Sequence, residues 1–258
     1  MLQGLRYCEI LKTNINVTNM PHTLALLDAH LEELRGQYIC VSNVHTTVMS
    51  YENESYRTIQ NSAAMALPDG APLSKYSRIK GFQDAKRVTG PDLMAALFRS
   101  SAKKKYRHFF YGATQETLED MKRTMIREYP GAVIAGMYAP PFRPLTEKED
   151  KKVIDLINNA HADFIWVGLG APKQEEWMYA HRGKLNAVSI GVGAGFDYFA
   201  GHIKRAPQIM QTLCLEWLYR LLQDPKRLWK RYVTTNFKFF GYLWREAGRK
   251  KQGKTKRV

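Results

Sequence analysis

The chain has 258 residues, 45% of them hydrophobic and 24% charged. That balance suits one large domain, or a domain with an appendage, and it excludes wholesale disorder. Its three cysteines, Cys8, Cys40 and Cys214, are odd in number and far apart, which argues against a disulfide scaffold or zinc ribbon and fits a reducing cytoplasm.

No apolar run reaches the ~18 residues of a spanning helix, and the start MLQGLRYCEI lacks the pattern of a secretory signal. The formal charge of +15 is unevenly placed. Residues 201–258 carry 15 Lys and Arg against 3 Asp and Glu, which leaves 24 against 21 in the first 200. A near-neutral body therefore precedes a basic tail that also holds Trp217, Trp229 and Trp244. Such a tail seeks a polyanion, either nucleic acid or an anionic membrane surface.

In chain order the pattern predicts a helix over 22–35, strands over 38–41 and 64–67, a helix over 91–102 and a strand over 107–111. A helix over 115–128, a strand over 132–135, helices over 147–159 and 173–182, and strands over 164–167 and 188–192 complete the body. This alternation implies an α/β layered fold with a mostly parallel sheet, whose ligands bind beyond the carboxyl ends of the strands. After Gly201 the pattern becomes two or three amphipathic helices with a break near Asp224 and Pro225. The expected division is an α/β domain over 1–201, a basic helical appendage over 202–247 and a basic disordered tail over 248–258.

The loops after the strands carry the candidate chemistry. Asn43 either rims a polar site or caps a helix. Asp69, in the turn LPDG, is either an exposed base or a turn aspartate. Arg87, in RVTGPDL beside a helix start, suits a pyrophosphate clamp or a surface ion pair with Asp84 or Asp92. Gly112 and Thr114 open a helix with small residues, so that backbone amides would face an anion. GLGAPKQEEW supplies Gly168 and Gly170 for close backbone approach and Gln174 for a nucleobase or sugar edge. GVGAGFD only superficially resembles a dinucleotide fingerprint, because the GxGxxG pattern is incomplete; its Asp197 is a second carboxylate candidate for ribose or sugar hydroxyls. The seven histidines show no metal-ligand spacing, and no metal site is expected.

At these strings the sequence resembles the WecG/TagA/CpsF bacterial glycosyltransferases. The match rests on LPDG, RVTGPDL, GLGAPKQEEW, GVGAGFD, KRAP and EWLYRLLQDPKRLWKRY, in the family's order, from about Asn43 to Arg231. The stretch APPFRPLT looks like the exopolysaccharide branch. The resemblance implies a Rossmann-like domain with a membrane-targeting appendage, peripheral on the cytoplasmic face of the cell membrane. It implies inverting, metal-independent transfer of N-acetylmannosamine or a related sugar from a UDP donor to a polyprenyl-diphosphate-linked N-acetylglucosamine, with no cofactor and with a tendency to self-associate. By the same resemblance Asp69 is the base, Arg87 the site arginine, Gln174 a donor contact and Asp197 the acidic donor contact. Asn43 falls on the acceptor side. Arg220 and Arg227 correspond to residues that engage the lipid diphosphate, with Lys230 or Arg231 as a third. Many members have Thr two residues before the asparagine. Val41 stands there in this chain, which bears on donor or acceptor preference rather than on the reaction.

Two other classes fit the composition. A nucleic-acid binder would suit the basic tail, but no recognition module is present. A nucleotide-binding oxidoreductase is disfavoured by the broken glycine fingerprint.

Overall fold

The computed structural model describes residues 5–207, 209–210 and 215–255, without the side chains at 227, 231 and beyond 247. Cys214 and the side chains of Arg227 and Arg231 therefore lie outside the described residues. Among the described residues there are eight strands: β1 (Tyr7–Ile10), β2 (Thr13–Asn16), β3 (Tyr38–Ser42), β4 (Met65–Pro68), β5 (Arg107–Gly112), β6 (Val133–Tyr138), β7 (Phe164–Gly168) and β8 (Val188–Gly191). The last six form one sheet in the order β4-β3-β8-β7-β5-β6, parallel throughout.

Parallel sheets are covered on both faces, and the sequence of β7 shows how. Phe164 and Trp166 point into one core with Phe98, Phe110 and Phe196, while Ile165 and Val167 point into the other with Phe109, Tyr111 and Cys40. His108 belongs to the first core. Its Nδ1 accepts from the Trp166 Nε1–H at 3.1 Å, and burial pushes its pKa down to about 3, so it stays neutral.

The helices of the body are α1 (Met20–Ala29), α2 (Leu31–Leu34), α3 (Val44–Glu52), α4 (Glu54–Asn61), α5 (Ala71–Ile79), α6 (Gly90–Lys104), α7 (Gln115–Glu128), α8 (Glu147–Asn159), α9 (Lys173–Ala180) and α10 (Gly195–Phe199). The expected helix over 22–35 is two helices broken at His30. The β1–β2 hairpin was not expected. Its turn places Leu11 and Lys12 at φ 48° and 62°, without the Asn or Gly that announces such a turn.

The appendage consists of α11 (Glu216–Gln223) and α12 (Pro225–Thr255), separated at Asp224 as expected, with Pro225 at the helix start where its missing N–H costs nothing. The backbone of α12 runs on through Thr255, past the boundary at 247 where a basic tail was expected. Lys, Arg and Gln are good helix formers, and the charge run does not itself break the helix.

The appendage folds back on α3. Phe239 and Leu228 are buried, Tyr242 stacks on Tyr51 at 4.6 Å, and Glu52 accepts from Tyr242 Oη at 2.6 Å and from Lys238 Nζ at 2.8 Å.

Candidate active site

Four strand ends converge on one cleft of about 420 Å³, within the range of small-ligand sites. Val41 and Asn43 enter from β3, Asp69 from β4, Gly168 and Gly170 from β7, and residues 191–195 from β8. The appendage closes the far side with Glu216, Trp217, Arg220, Tyr232, Thr235 and Asn236.

Asp69 follows β4 directly. Its N–H donates to the Ser42 carbonyl at 2.8 Å, which ties the turn to the end of β3. Arg87 arrives because Val88 N–H donates to the Pro68 carbonyl at 2.9 Å. Arg87 Nε then donates to the Asp69 backbone carbonyl at 2.6 Å, and its Nη2 pairs with the Glu216 carboxylate of α11. The surface ion pair weighed for Arg87 is thus not formed with Asp84 or Asp92. Asp84 pairs with Arg6, and Asp92 takes Arg205 at 2.6 Å. Burial pushes the Asp69 carboxyl up to about 6; Arg87 and Arg220 pull it down, while Glu216 and Asp92 push it up.

Asn43 lines the cleft and also caps α3, its Oδ1 accepting from the N–H groups of His45 at 3.0 Å and Thr46 at 3.2 Å. Both readings of it hold together. Asp197, at the start of α10, lines the same cleft. Arg220 sits over the Tyr198 ring, 5.4 Å from its centroid. Lys230 is exposed on α12 and is absent from the cleft wall.

Three expected residues hold the structure in other ways. Gly112 and Thr114 end β5, on the far side of β7 from the cleft, and line no part of it. A Cβ on Gly112 would lie 2.7 Å from the Gly168 backbone, so that glycine serves close strand packing. Thr114 caps α7, its Oγ1 accepting the Thr117 N–H at 3.2 Å. Gln174 lines the cleft but is only 4% exposed, and its amide is taken up inside the protein. Its Oε1 accepts from Gly193 N–H at 2.9 Å and its Nε2 donates to Glu175 at 2.7 Å. Gln174 thus holds the glycine loop after β8 from its place on the cleft wall.

Tyr198, Tyr232, Thr235, Asn236 and Glu216 also line the cleft, though none was among the expected site residues. Glu216 and Arg220 stand four apart on an amphipathic helix, which puts both on one face and was the available signal. Among the described residues no group of three or more His, Cys, Asp or Glu could hold a metal ion.

Open parallel sheets bind ligands beyond their strand ends, and this crevice holds a carboxyl titrating near 6 between two arginines. The class so defined is an α/β protein with a candidate acid–base group at the carboxyl ends of its strands. The chain belongs to the glycosyl transferase WecG/TagA/CpsF family, whose sequence model matches residues 8–253.

It is similar to the N-acetylglucosaminyldiphosphoundecaprenol N-acetyl-beta-D-mannosaminyltransferase of Bacillus spizizenii, with 34% identity over 206 residues covering 80% of this chain and 78% of the relative. The enzyme of the same name from Bacillus subtilis is 33% identical over 222 residues, 84% of this chain and 83% of the relative. That from Staphylococcus aureus strain MW2 is 31% identical over 192 residues, 74% of each.

Proposed function

We propose that this protein transfers N-acetylmannosamine, or a closely related hexose, from a UDP donor to N-acetylglucosamine on a polyprenyl diphosphate, with inversion. The relatives are named for transfer of an N-acetyl-beta-D-mannosaminyl group to N-acetylglucosaminyldiphosphoundecaprenol. The observation that supports it most directly is the placement of Asp69 at the carboxyl end of β4, with Arg87 on its own backbone and Arg220 facing it from the appendage.

In the proposed reaction the acceptor hydroxyl oxygen attacks the anomeric carbon as the bond from that carbon to the diphosphate oxygen breaks. The hydroxyl proton passes to the Asp69 carboxylate, and UDP leaves with the bonding electron pair. Arg87 and Arg220 carry the charge that develops on the leaving diphosphate, since preorganised cations in a water-poor cleft stabilise it most. No metal is assigned a part.

The test is a donor panel. Full-length protein is incubated with a short-chain polyprenyl-diphospho-N-acetylglucosamine and each UDP-sugar in turn, with EDTA present, and UDP release is followed. Acceptor-dependent release with UDP-N-acetylmannosamine is the expected result. Release with no donor overturns the reading, and release only without EDTA overturns the metal-independent part of it.

The same reading places the protein on the inner face of the cell membrane as a peripheral enzyme. No helix among the described residues is long and apolar enough to cross a membrane. On α12, however, Trp229, Val233, Phe237, Phe240 and Trp244 recur at three- and four-residue spacing and are all exposed, opposite the face that packs on α3. An amphipathic helix with aromatics on one side and lysines and arginines around it lies in the plane of an anionic interface. Replacing Trp229, Phe237, Phe240 and Trp244 together by Ser is expected to weaken binding to phosphatidylglycerol vesicles about tenfold or more, as each buried aromatic contributes on the kcal/mol scale. Cosedimentation at low salt checks it, and unchanged binding removes α12 as the membrane face.

A further inference from the structure

Arg87 is already occupied by an anion that belongs to the protein. Its Nε donates to the Asp69 carbonyl and its Nη2 to the Glu216 carboxylate, so one of its two bidentate edges is filled from within the protein. Both side chains of the ion pair are sheltered, at 22% and 18% exposure.

Other contacts also dock the appendage: Phe239 is buried against the body, Tyr242 packs on Tyr51, and Lys238 and Tyr242 both reach Glu52.

A diphosphate drawn to Arg87 would meet the Glu216 carboxylate at contact distance in a sheltered site, where like charges repel, so one of the two anions has to give way. Glu216 stands at the first position of α11.

We propose that Glu216 is an internal anion that holds Arg87 in the empty cleft and gives it up to the diphosphate of the incoming sugar nucleotide. The proposal rests on the UDP-donor reading above. While Glu216 is seated, Arg87 is kept in place and neutralised. When a diphosphate arrives, the carboxylate leaves the guanidinium and α11 moves with it. Nucleotides without a diphosphate, such as UMP, compete with Glu216 less well, which makes the exchange a filter for the diphosphate.

The experiment is calorimetric titration of UDP into the full-length wild type, Glu216→Gln, Arg87→Gln and the double variant, with melting temperatures recorded for each. Removing the competing charge while keeping the side-chain shape is expected to tighten UDP binding about tenfold. In the Arg87→Gln background the same change is expected to have no effect, because there is no guanidinium left to contest. Turnover gives a second reading. The groups facing Asp69 are Arg87, Arg220, Glu216 and Asp92, and Glu216 is one of the two that raise its carboxyl, so the acid limb of Glu216→Gln is expected to fall to lower pH.

If Glu216 only fastens the appendage, Glu216→Gln binds UDP equally or more weakly with an unmoved acid limb, and the exchange is overturned while the donor reading stands. If the wild type itself does not bind UDP, both are overturned. Should the glutamine variant melt early, Glu216→Ala reads the same loss of charge.

Discussion

Asp69→Asn is expected to lower turnover by about 10²–10⁴-fold, the usual contribution of a positioned general base, while leaving UDP affinity within a few-fold of wild type. The amide keeps the shape of the turn and the Asp69 N–H bond to Ser42, so folding is not the target. What disappears is the group that receives the acceptor proton. The wild-type pH profile carries the same information. The folded carboxyl titrates at about 6, raised chiefly by burial, and only the carboxylate accepts a proton. Activity therefore rises with pH through about 6, and it falls as pH drops below that value because the carboxyl is then protonated. Steady-state rates from pH 5 to 8 check both points. Near-wild-type turnover by Asp69→Asn, or a flat profile across pH 6, removes Asp69 as the base.

Gly112→Ala is expected to destabilise the fold by about 2–5 kcal/mol, combining strain at a left-handed backbone with overpacking in a tight contact. Gly112 has φ +128°, and a Cβ there would stand 2.7 Å from the Gly168 backbone, which cannot swing away as a side chain would. For a chain of this size the melting temperature should fall by roughly 5–15 °C. Gly170→Ala is the control. Its φ is +76°, but nothing lies within 4 Å of the added carbon, so only the backbone strain of about 1–2 kcal/mol applies. Thermal melts of the two variants beside the wild type check the difference. A Gly112→Ala protein that melts normally but loses UDP would instead return Gly112 to the donor site.

The strands of the sheet were legible because each is a short apolar run between amphipathic stretches. All six expected strands are present, with ends within a few residues of the expected bounds. The hairpin of β1 and β2 was not legible, because Leu11 and Lys12 occupy its left-handed turn without any residue type that prefers one. The helices α4 and α5 were not among the expected elements; both are short, and such helices stand by tertiary packing rather than by local propensity.

In the site, Asn43, Asp69, Gly168 and Gly170 sit at strand ends, where a parallel sheet makes loop residues converge, whereas Arg87 lies before α6 and is brought in by the Val88–Pro68 hydrogen bond, and Asp197 lies in α10. By itself, the sequence determined the class of fold, the turns that carry the candidate residues, the family, and the basic aromatic appendage. These depend on local pattern and on motifs that are continuous along the chain. Only the tertiary structure decided which of those turns touch the cleft. Strand order, which no local pattern encodes, puts β5 beyond β7 and so takes Gly112 and Thr114 away from it. Tertiary packing alone also turned Gln174 inward onto Gly193 and Glu175 and brought Glu216 against Arg87. That last contact spans 129 positions of the chain, and it forms because α12 buries Phe239 against the body and carries α11 across the mouth of the cleft.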